Sequence, residues 1–320
     1  MPFLDLLLVK NPIKLLAQRL GISKTVFPAT AFAMRQNSER SAEMERIRET
    51  GKAAINPLTG GIDLLSKFTQ AQHNHPEFMN DAIVLTSTLS MVFAGSDTTA
   101  ISLSSIFYHL TTHPDKHKKL MEELDLAVEE GRAASKNGIM TWSESQKLPY
   151  LDAVIQESLR MHPAPGLIME RVVPRQGIDI LGEHIRGGTI VGCNAWVIHR
   201  RPEIFGEDCD SFRPERWIEA SPEQLKLMKA SMFQFGAGSR TCIGKNISLL
   251  EMYKMVPSFL LRFDVSASVF LKYESISEKD VNGVQIDREG TEPWKTHNQW
   301  FVKQKGFNVR FKLRKSRGLK

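Results

Sequence analysis

Residues 235–244 read Phe-Gly-Ala-Gly-Ser-Arg-Thr-Cys-Ile-Gly, a glycine-rich decapeptide that contains a single cysteine. Its glycines permit a tight loop and a close backbone approach to a flat ligand, including conformations that other residues avoid. Cys242 opens an apolar run over 243–261 that predicts a helix. Unpaired N–H groups and the dipole at a helix N-terminus favour a thiolate, so the pattern indicates a chemically active cysteine. The alternative is a buried structural cysteine beside a turn, which is how a lone cysteine usually occurs.

The decapeptide fits the pattern Phe-x-x-Gly-x-Arg-x-Cys-x-Gly and resembles the haem-ligand loop of the cytochrome P-450 family, the haem-thiolate monooxygenases. Chance gives such a pattern in about one of ten thousand chains of this length. The resemblance implies that Cys242 is the axial thiolate ligand of a haem b iron. Arg240 supplies a positive charge suited to a haem propionate. The other loop positions that the resemblance assigns to the cofactor are Phe235, Gly236, Gly238 and Gly244.

A second motif, Glu157-Ser-Leu-Arg160, lies near the end of an amphipathic segment over 149–161. Its spacing puts both charges on one helical face, where they can pair, although such pairs usually lie on the surface and contribute little. Residues 212–217 contain Pro-Glu-Arg and resemble the Pro-Glu-Arg-Phe segment of the same family, whose arginine joins the helical pair in a buried network. The resemblance therefore predicts a structural network of Glu157, Arg160 and Arg216 behind the ligand loop.

A third motif, Ala94-Gly-Ser-Asp-Thr-Thr, interrupts a long helical pattern from about 77 to 111 with residues of poor helix propensity. Such side chains compete for backbone hydrogen bonds and bend helices. By itself the motif is equally well a polar helix face in contact with water. It resembles the oxygen-activation segment of the family. The resemblance implies that Ala94 and Gly95 leave room for O2, and that Asp97 and Thr98 relay protons.

Three features between these motifs bear on the site. Arg171 matches a family position that contacts a haem propionate. The stretch 182–191 alternates apolar residues around glycines and predicts a β-hairpin, with Arg186 where the family commonly has proline. No second ligand stands at a suitable spacing from His199, so a capping or packing histidine is predicted there rather than a metal ligand.

The composition predicts a globular chain of one large domain or two smaller ones, since 42% of its 320 residues are hydrophobic. The net charge of +6 is modest and spread along the chain, which does not favour nucleic-acid binding. The basic tail over 312–320 reads as solvated, with a weak attraction to acidic lipid as the alternative. Three cysteines at irregular spacing indicate a reducing compartment rather than a disulfide scaffold.

The periodicities predict a mainly α fold with small β-sheets. Helices are predicted near 32–53, 77–111, 115–130, 149–161 and 243–261, and strands near 171–173, 178–191 and 307–313. The longest apolar stretch, 82–93, is too short for a transmembrane helix. The first nine residues are apolar apart from Asp5, and no cleavage-like site follows them, so no secretory signal is predicted.

The resemblance covers only part of the family fold. In complete members a large N-terminal part precedes the oxygen-activation helix, whereas 93 residues precede Ala94 here. We therefore expect residues 1–320 to form a single, incomplete haem-thiolate monooxygenase domain, an N-terminally truncated cytochrome P-450 fold. Residues 1–12 resemble an internal segment of fungal members, and residues 294–307 resemble a fungal branch typified by pisatin demethylase.

The function implied by the resemblance is insertion of one oxygen atom from O2 into a small apolar organic substrate, in fungal secondary metabolism. The implied partner is an NADPH-dependent flavoprotein reductase. A full-length form would associate with the cytosolic face of the endoplasmic reticulum membrane through the missing N-terminal part. One alternative is a haem-thiolate isomerase or dehydratase, which the retention of Asp97 and Thr98 argues against. The other is a truncated, non-catalytic remnant of such an enzyme.

Overall fold

The computed structural model describes residues 28–50, 63–133, 138–267, 295–298, 300–305 and 309–314. The chain divides into two compact units, Met1–Ala94 and Gly95–Lys320, and the division falls inside one long helix. The described residues are mainly helical, with strands in two-stranded antiparallel sheets, which confirms the predicted fold class. Residues 1–12 and most of the basic tail, for which the sequence makes predictions, lie outside the described residues.

Helices α1 (Pro28–Thr50) and α2 (Leu64–Asn74) belong to the first unit. The predicted helix at 32–53 corresponds to α1, and α2 is an element that the sequence reading missed. Asp63 caps α2 by accepting the N–H of Ser66 at 2.8 Å, and Arg40 of α1 pairs with the same carboxylate at 2.5 Å. One carboxylate thus caps α2 and ties it to α1.

Helix α3 (Asp81–Thr112) contains 32 residues and is about 48 Å long at the usual rise per residue. It begins four residues later than predicted, because Asn80 accepts the N–H of Ile83 at 3.1 Å and so provides a side-chain cap. Pro114 bounds its other end, as predicted. The helix continues through the Gly-Ser-Asp-Thr-Thr stretch. None of the described helices is both long and apolar enough to cross a membrane.

The core of the second unit forms where α3 packs with three further helices. These are α4 (Pro114–Glu129), α6 (Pro149–Met161) and, later in the chain, α11 (Lys245–Arg262). The short α5 (Trp142–Ser145) precedes α6. Proline at the first position of α4 and α6 fixes both starts, where a missing N–H costs nothing. The fully buried side chains that these helices contribute include Ile106, Leu110, Leu120, Leu124, Leu151, Ile155, Met252 and Leu260.

Two small sheets follow α6, and they correct the predicted hairpin. Strand β1 (Met169–Val172) pairs with β4 (Ile190–Cys193), whereas β2 (Ile178–Ile180) pairs with β3 (Glu183–Ile185). The hairpin therefore spans 178–185 instead of 182–191. Its turn residues, Leu181 and Gly182, have φ values of 53° and 86°, and two positive φ angles suit the twist of a tight hairpin.

The remaining elements are short. They are α7 (Ala195–Ile198), α8 (Pro202–Phe205), α9 (Arg216–Glu219), α10 (Pro222–Ser231), β5 (Phe263–Ala267), β6 (Lys295–Asn298), β7 (Val302–Lys305) and β8 (Val309–Leu313). Strand β5 pairs with β8, and β6 pairs with β7. The predicted strand at 307–313 corresponds to β8. Of the others, β5, β6, β7 and α10 are not among the predicted elements.

Candidate functional site

Cys242 lies on an exposed loop between α10 and α11. Its N–H donates to the carbonyl of Phe235 at 2.9 Å, and its own carbonyl accepts the N–H of Lys245 at 3.3 Å. A 3-10 turn over Gly238–Arg240 lies between Phe235 and Cys242. Helix α11 begins at Lys245 with Gly244 as its N-cap, slightly later than the predicted start at 243. The decapeptide thus closes on itself and presents its thiol just before a helix N-terminus.

Two glycines of the loop have left-handed backbones. Gly236 has φ 69° and Gly238 has φ 66°, values that strain any residue with a Cβ. A Cβ at Gly236 would also lie 3.3 Å from the sulfur of Met169 in β1, whereas a Cβ at Gly238 would meet nothing within 4 Å. Backbone conformation therefore requires glycine at both positions, and close packing against β1 adds a second reason at Gly236.

The surroundings of Cys242 suit a flat, largely apolar cofactor. Residues 237–243 are exposed; Ile243, next to Cys242 in the chain, is 86% exposed, and Ile247 in the first turn of α11 is 52% exposed. Within the described residues no cluster of three or more His, Cys, Asp or Glu side chains could hold a metal ion. Cys242 thus offers one thiol ligand, which fits a metal whose other ligands come from its own macrocycle.

The other predicted loop and propionate residues lie on this loop or on strand β1, which packs against it. Phe235 is partly buried against the main core, and the ammonium of Lys245 lies 5.8 Å from its ring centre. Arg240 is exposed at the end of the 3-10 turn. Arg171 is exposed on β1, the strand that packs against Gly236, and it donates to the carbonyl of Glu170 at 2.7 Å.

The structure links α3 to the helix that follows Cys242. The hydroxyl of Thr99 donates to that of Ser248 in α11 at 3.2 Å. Thr99 directly follows the predicted relay pair, Asp97 and Thr98. This contact therefore joins the segment predicted to move protons to the helix that begins after the thiol. Thr99 belongs to the third sequence motif but had no role assigned to it, and Ser248 was missed because it has no local signature.

Asp97 pairs with a residue that the sequence did not point to. Its carboxylate lies 2.6 Å from the ammonium of Lys303 in β7, and both side chains are about half exposed. The neighbouring Gln304 donates to the carbonyl of Ile101 at 3.0 Å, so β7 contacts α3 twice. The carbonyl of Thr98 accepts the hydroxyl of Ser102 at 3.1 Å. Ala94 and Gly95 are exposed in the same helix, and a Cβ at Gly95 would meet nothing within 4 Å.

Glu157, Arg160 and Arg216 meet in the interior of the second unit, where their side chains are 0%, 0% and 4% exposed. Arg160 contacts both oxygens of the Glu157 carboxylate at 2.8 Å through Nε and Nη2. The Nε of Arg216 donates to Oε1 of the same carboxylate at 2.9 Å. One carboxylate is thereby held between two guanidiniums.

Further groups complete this buried network. Glu157 also accepts the indole N–H of Trp217 and the backbone N–H of Arg213, both at 2.9 Å. Asp208 lies 2.9 Å from Arg216 and supplies a second carboxylate to balance the two guanidiniums. Burial alone would raise the pKa of Asp208, but the guanidiniums of Arg216 and Arg213 hold it below its usual value. Neither Asp208 nor Trp217 was predicted to belong to this network, although Trp217 lies in the quoted segment 212–217.

Backbone carbonyls accept the remaining guanidinium protons. Nη1 of Arg160 donates to the carbonyls of His199 and Cys209 at 2.8 and 2.6 Å. Nη2 of Arg216 donates to those of Asp208 and Ser211 at 3.0 and 3.2 Å. The network therefore fixes the backbone of the irregular segment that precedes the Cys242 loop.

His199 lies between this network and the loop. It is the C-cap residue of α7 and is fully buried, in keeping with the predicted capping or packing role. Its Nδ1 bonds the carbonyl of Arg160 at 3.0 Å, and its Nε2 accepts the N–H of Phe233 at 2.8 Å. Burial lowers the pKa of His199 to about 4.

Comparison with known proteins adds a family match. A family model described as cytochrome P-450 matches residues 17–287. A cytochrome P-450 monooxygenase from Aspergillus terreus is 44% identical over 266 residues, which is 83% of this chain and 51% of the relative.

Two further relatives are similar. The cytochrome P-450 monooxygenase cicH of Emericella nidulans is 42% identical over 252 residues, 79% of this chain and 46% of the relative. A pisatin demethylase of Fusarium vanettenii is 43% identical over 210 residues, 66% of this chain and 35% of the relative. The chain spans about half the length of the first two of these relatives.

Proposed function

The chain belongs to the cytochrome P-450 family, and from this premise we propose that it serves a haem-dependent monooxygenase reaction. The reaction inserts one oxygen atom from O2 into a small apolar organic substrate, in fungal secondary metabolism. The observation that carries the proposal is the exposed thiol of Cys242, held on a glycine-rich loop and joined through α11 and the Thr99–Ser248 contact to the Asp97–Thr98 segment.

Cys242 would be the thiolate ligand of a haem in this proposal, and its neighbours would hold the cofactor. The haem, when bound, would supply the redox chemistry that activates O2. Arg240 and Arg171 would bind its carboxylate groups. The residues that shape or leave space for the cofactor and O2 are Phe235, Gly236, Gly238, Gly244, Ala94 and Gly95.

Asp97 and Thr98 act as the proton relay in this proposal. Asp97 offers a carboxylate that is half exposed on α3, where water reaches it. Lys303 holds this carboxylate in place through the 2.6 Å ion pair. The hydroxyl of Thr98, next along the helix, would accept a proton from the Asp97 side and hand it on. These residues move protons and do not take part in electron transfer.

The buried network supports the site structurally, because it holds the segment that precedes the Cys242 loop in place. Glu157, Arg160 and Arg216 fix the segment before the Cys242 loop through the backbone carbonyls that they bond. Loss of one charged partner leaves the others buried without compensation, which destabilises the fold strongly.

The two compact units form one domain of this family in our proposal, since the matched region, residues 17–287, includes parts of both. Members of the family generally receive electrons from a reductase. We assign an NADPH-dependent flavoprotein reductase to this role. The location that we propose for the enzyme is the cytosolic face of the endoplasmic reticulum membrane.

A second candidate is a non-catalytic remnant of such an enzyme. The observation in its favour is exposed apolar surface: Val172, Ile190 and Ile243 are 68%, 57% and 86% exposed. Val172 and Ile190 are cross-strand partners, and exposed apolar surface of this kind marks a partner site or an aggregation hazard. A haem-thiolate isomerase has no comparable support, because Asp97 and Thr98 are both present.

The test is a reduced, carbon-monoxide-bound difference spectrum of the 320-residue chain expressed with haem supply. We expect the Soret band of a thiolate-ligated haem in the parent chain. Cys242→Ser should abolish the band, whereas Cys193→Ser should keep it, because Cys193 is the other exposed cysteine and is not the assigned ligand. A well-folded chain without a haem signal would favour the remnant.

A further inference from the structure

We propose that His199 is a positioning residue that couples the buried Glu157–Arg160–Arg216 network to the loop carrying Cys242. The assignment concerns this chain's own hydrogen bonds and does not make His199 a ligand or a catalytic group. Its consequence for the haem site rests on the proposed function.

The hydrogen bonds of His199 fix the protonation of its ring. A backbone N–H can only donate, so the bond from Phe233 requires a lone pair on Nε2 of His199. The proton of the neutral ring then lies on Nδ1, which donates to the carbonyl of Arg160 at 3.0 Å. Both ring nitrogens are thus used, one towards the network and the other towards the loop.

The network side of this link is doubly fixed. While Nδ1 of His199 donates to the carbonyl of Arg160, the guanidinium of Arg160 donates back to the carbonyl of His199 at 2.8 Å. The ring also contacts Phe205 edge-on, with centres 6.2 Å apart. Two opposed hydrogen bonds and one ring contact leave the imidazole little freedom relative to α6.

The loop side begins at Phe233 and leads to the thiol. The carbonyl of Phe233 accepts the N–H of Gly236 at 3.0 Å, which forms the turn at the start of the loop. The carbonyl of Phe235 accepts the N–H of Cys242 at 2.9 Å. A shift of Phe233 therefore displaces the turn on whose carbonyl the backbone of Cys242 depends.

The link requires a neutral ring. If Nε2 carried a proton, two N–H donors would point at each other, and the hydrogen bond from Phe233 would be lost. Burial lowers the pKa of His199 to about 4; the charges of Arg160 and Arg200 also lower it, while the bond to the Arg160 carbonyl and the charge of Glu157 raise it. The ring consequently stays neutral, and the link intact, at neutral pH.

Hydrogen exchange in the haem-free 320-residue chain tests the link. Exchange at the Phe233 amide is compared with exchange in α11, which reports opening of the core. We expect His199→Phe to raise the exchange rate of the Phe233 amide about tenfold beyond any change in α11. A rise of about tenfold corresponds to the loss of protection from one hydrogen bond. His199→Gln should restore protection, because its amide oxygen reaches the Nε2 position.

A matched control uses another buried histidine of this region. His162 has a pKa of about 4, lowered by burial, and bonds the carbonyl of Val302 at 2.9 Å instead of the loop. We expect His162→Phe to leave the ratio of Phe233 to α11 exchange unchanged. Should His199→Phe not fold, His199→Asn replaces it, since its shorter amide reaches the Arg160 carbonyl but not Phe233. The proposal is overturned if the Phe233 amide is equally protected in His199→Gln and in the variant that cannot bond it, His199→Phe or His199→Asn.

The haem-loaded chain gives a second readout. We expect His199→Phe to lower the thiolate-ligated fraction of the carbon-monoxide spectrum and His199→Gln to restore it. A parent chain without a haem spectrum contradicts the proposed function but leaves the exchange result standing. A normal parent spectrum with unchanged Phe233 exchange in His199→Phe contradicts the role of His199 alone.

Discussion

Two ion pairs of similar length lie in very different surroundings. Glu157 and Arg160 are 2.8 Å apart and fully buried, whereas Asp97 and Lys303 are 2.6 Å apart and about half exposed. The shorter pair is the one that water screens, so its contribution to stability is small. The longer pair is held in the interior by further hydrogen bonds, and breaking it leaves a charge without solvent. Burial, and not distance, therefore separates a group that supports the fold from one that remains available for chemistry.

The largest effect is expected for Glu157→Gln. Two buried guanidiniums would lose their shared carboxylate, and we expect a loss of about 3–5 kcal/mol in the free energy of unfolding. Urea denaturation followed by circular dichroism measures it. Asp97→Asn is the matched control, with an expected loss below about 1 kcal/mol. Equal losses in the two variants would erase the contrast between the regions.

Arg160→Lys should come next. An ammonium cannot contact both oxygens of Glu157 and the carbonyls of His199 and Cys209 at once, so we expect a loss of about 2–3 kcal/mol despite the retained charge. The shift of the urea midpoint checks it. Arg171→Lys, at an exposed position, should change the midpoint little. A tolerated Arg160→Lys would mean that charge alone matters in the network.

Glu215 is intermediate, because its carboxylate is mostly covered yet close to the surface. It accepts from Lys119 at 2.6 Å, Lys116 at 3.2 Å and the hydroxyl of Tyr150 at 3.0 Å. Burial alone would raise the pKa of Glu215, but these donors lower it from 4.5 to about 2. A depressed carboxyl pKa stabilises the fold above pH 4.5, and this stabilisation is lost as pH falls from 4.5 towards 2.

We therefore expect Glu215→Gln to flatten the fall of the urea midpoint with decreasing pH in this window. The buried histidines His109, His162 and His199 also favour unfolding as pH falls, because burial lowers the pKa of each, to about 4 for His162 and His199. The parent chain and the Glu215→Gln variant share that contribution. The difference between their urea midpoints therefore reports Glu215 alone. Parallel pH curves for the two proteins would refute the assignment.

The smallest effect on stability is expected at the Asp97–Lys303 pair. A double-mutant cycle with Asp97→Asn and Lys303→Gln should give a coupling below about 1 kcal/mol. High salt should reduce it further, because solvent ions screen exposed charges. A coupling that is large and insensitive to salt would place this pair with the buried network.

Features set by neighbouring residues in the chain were predicted well, whereas features set by distant residues were not. Helix α6 has the predicted bounds, 149–161, because prolines mark both its ends. The β-hairpin was misplaced because the alternation of apolar residues over 178–191 does not say which strand pairs with which. The motif at Asp97 and Thr98 was visible in the sequence, yet Lys303 was not, since more than two hundred residues separate the two partners.

Local sequence was sufficient to predict the mainly helical class and the glycine loop around Cys242. It was also sufficient to place Glu157 and Arg160 on one helical face. Backbone conformation and helix periodicity act over a few residues, so they can be recognised in a short stretch of sequence. Long-range packing was needed to bury that pair against Arg216 and to expose Asp97 beside Lys303. It was also needed to set His199 between Arg160 and Phe233, since burial and hydrogen-bond partners depend on segments that are distant in the chain and meet only in the folded protein.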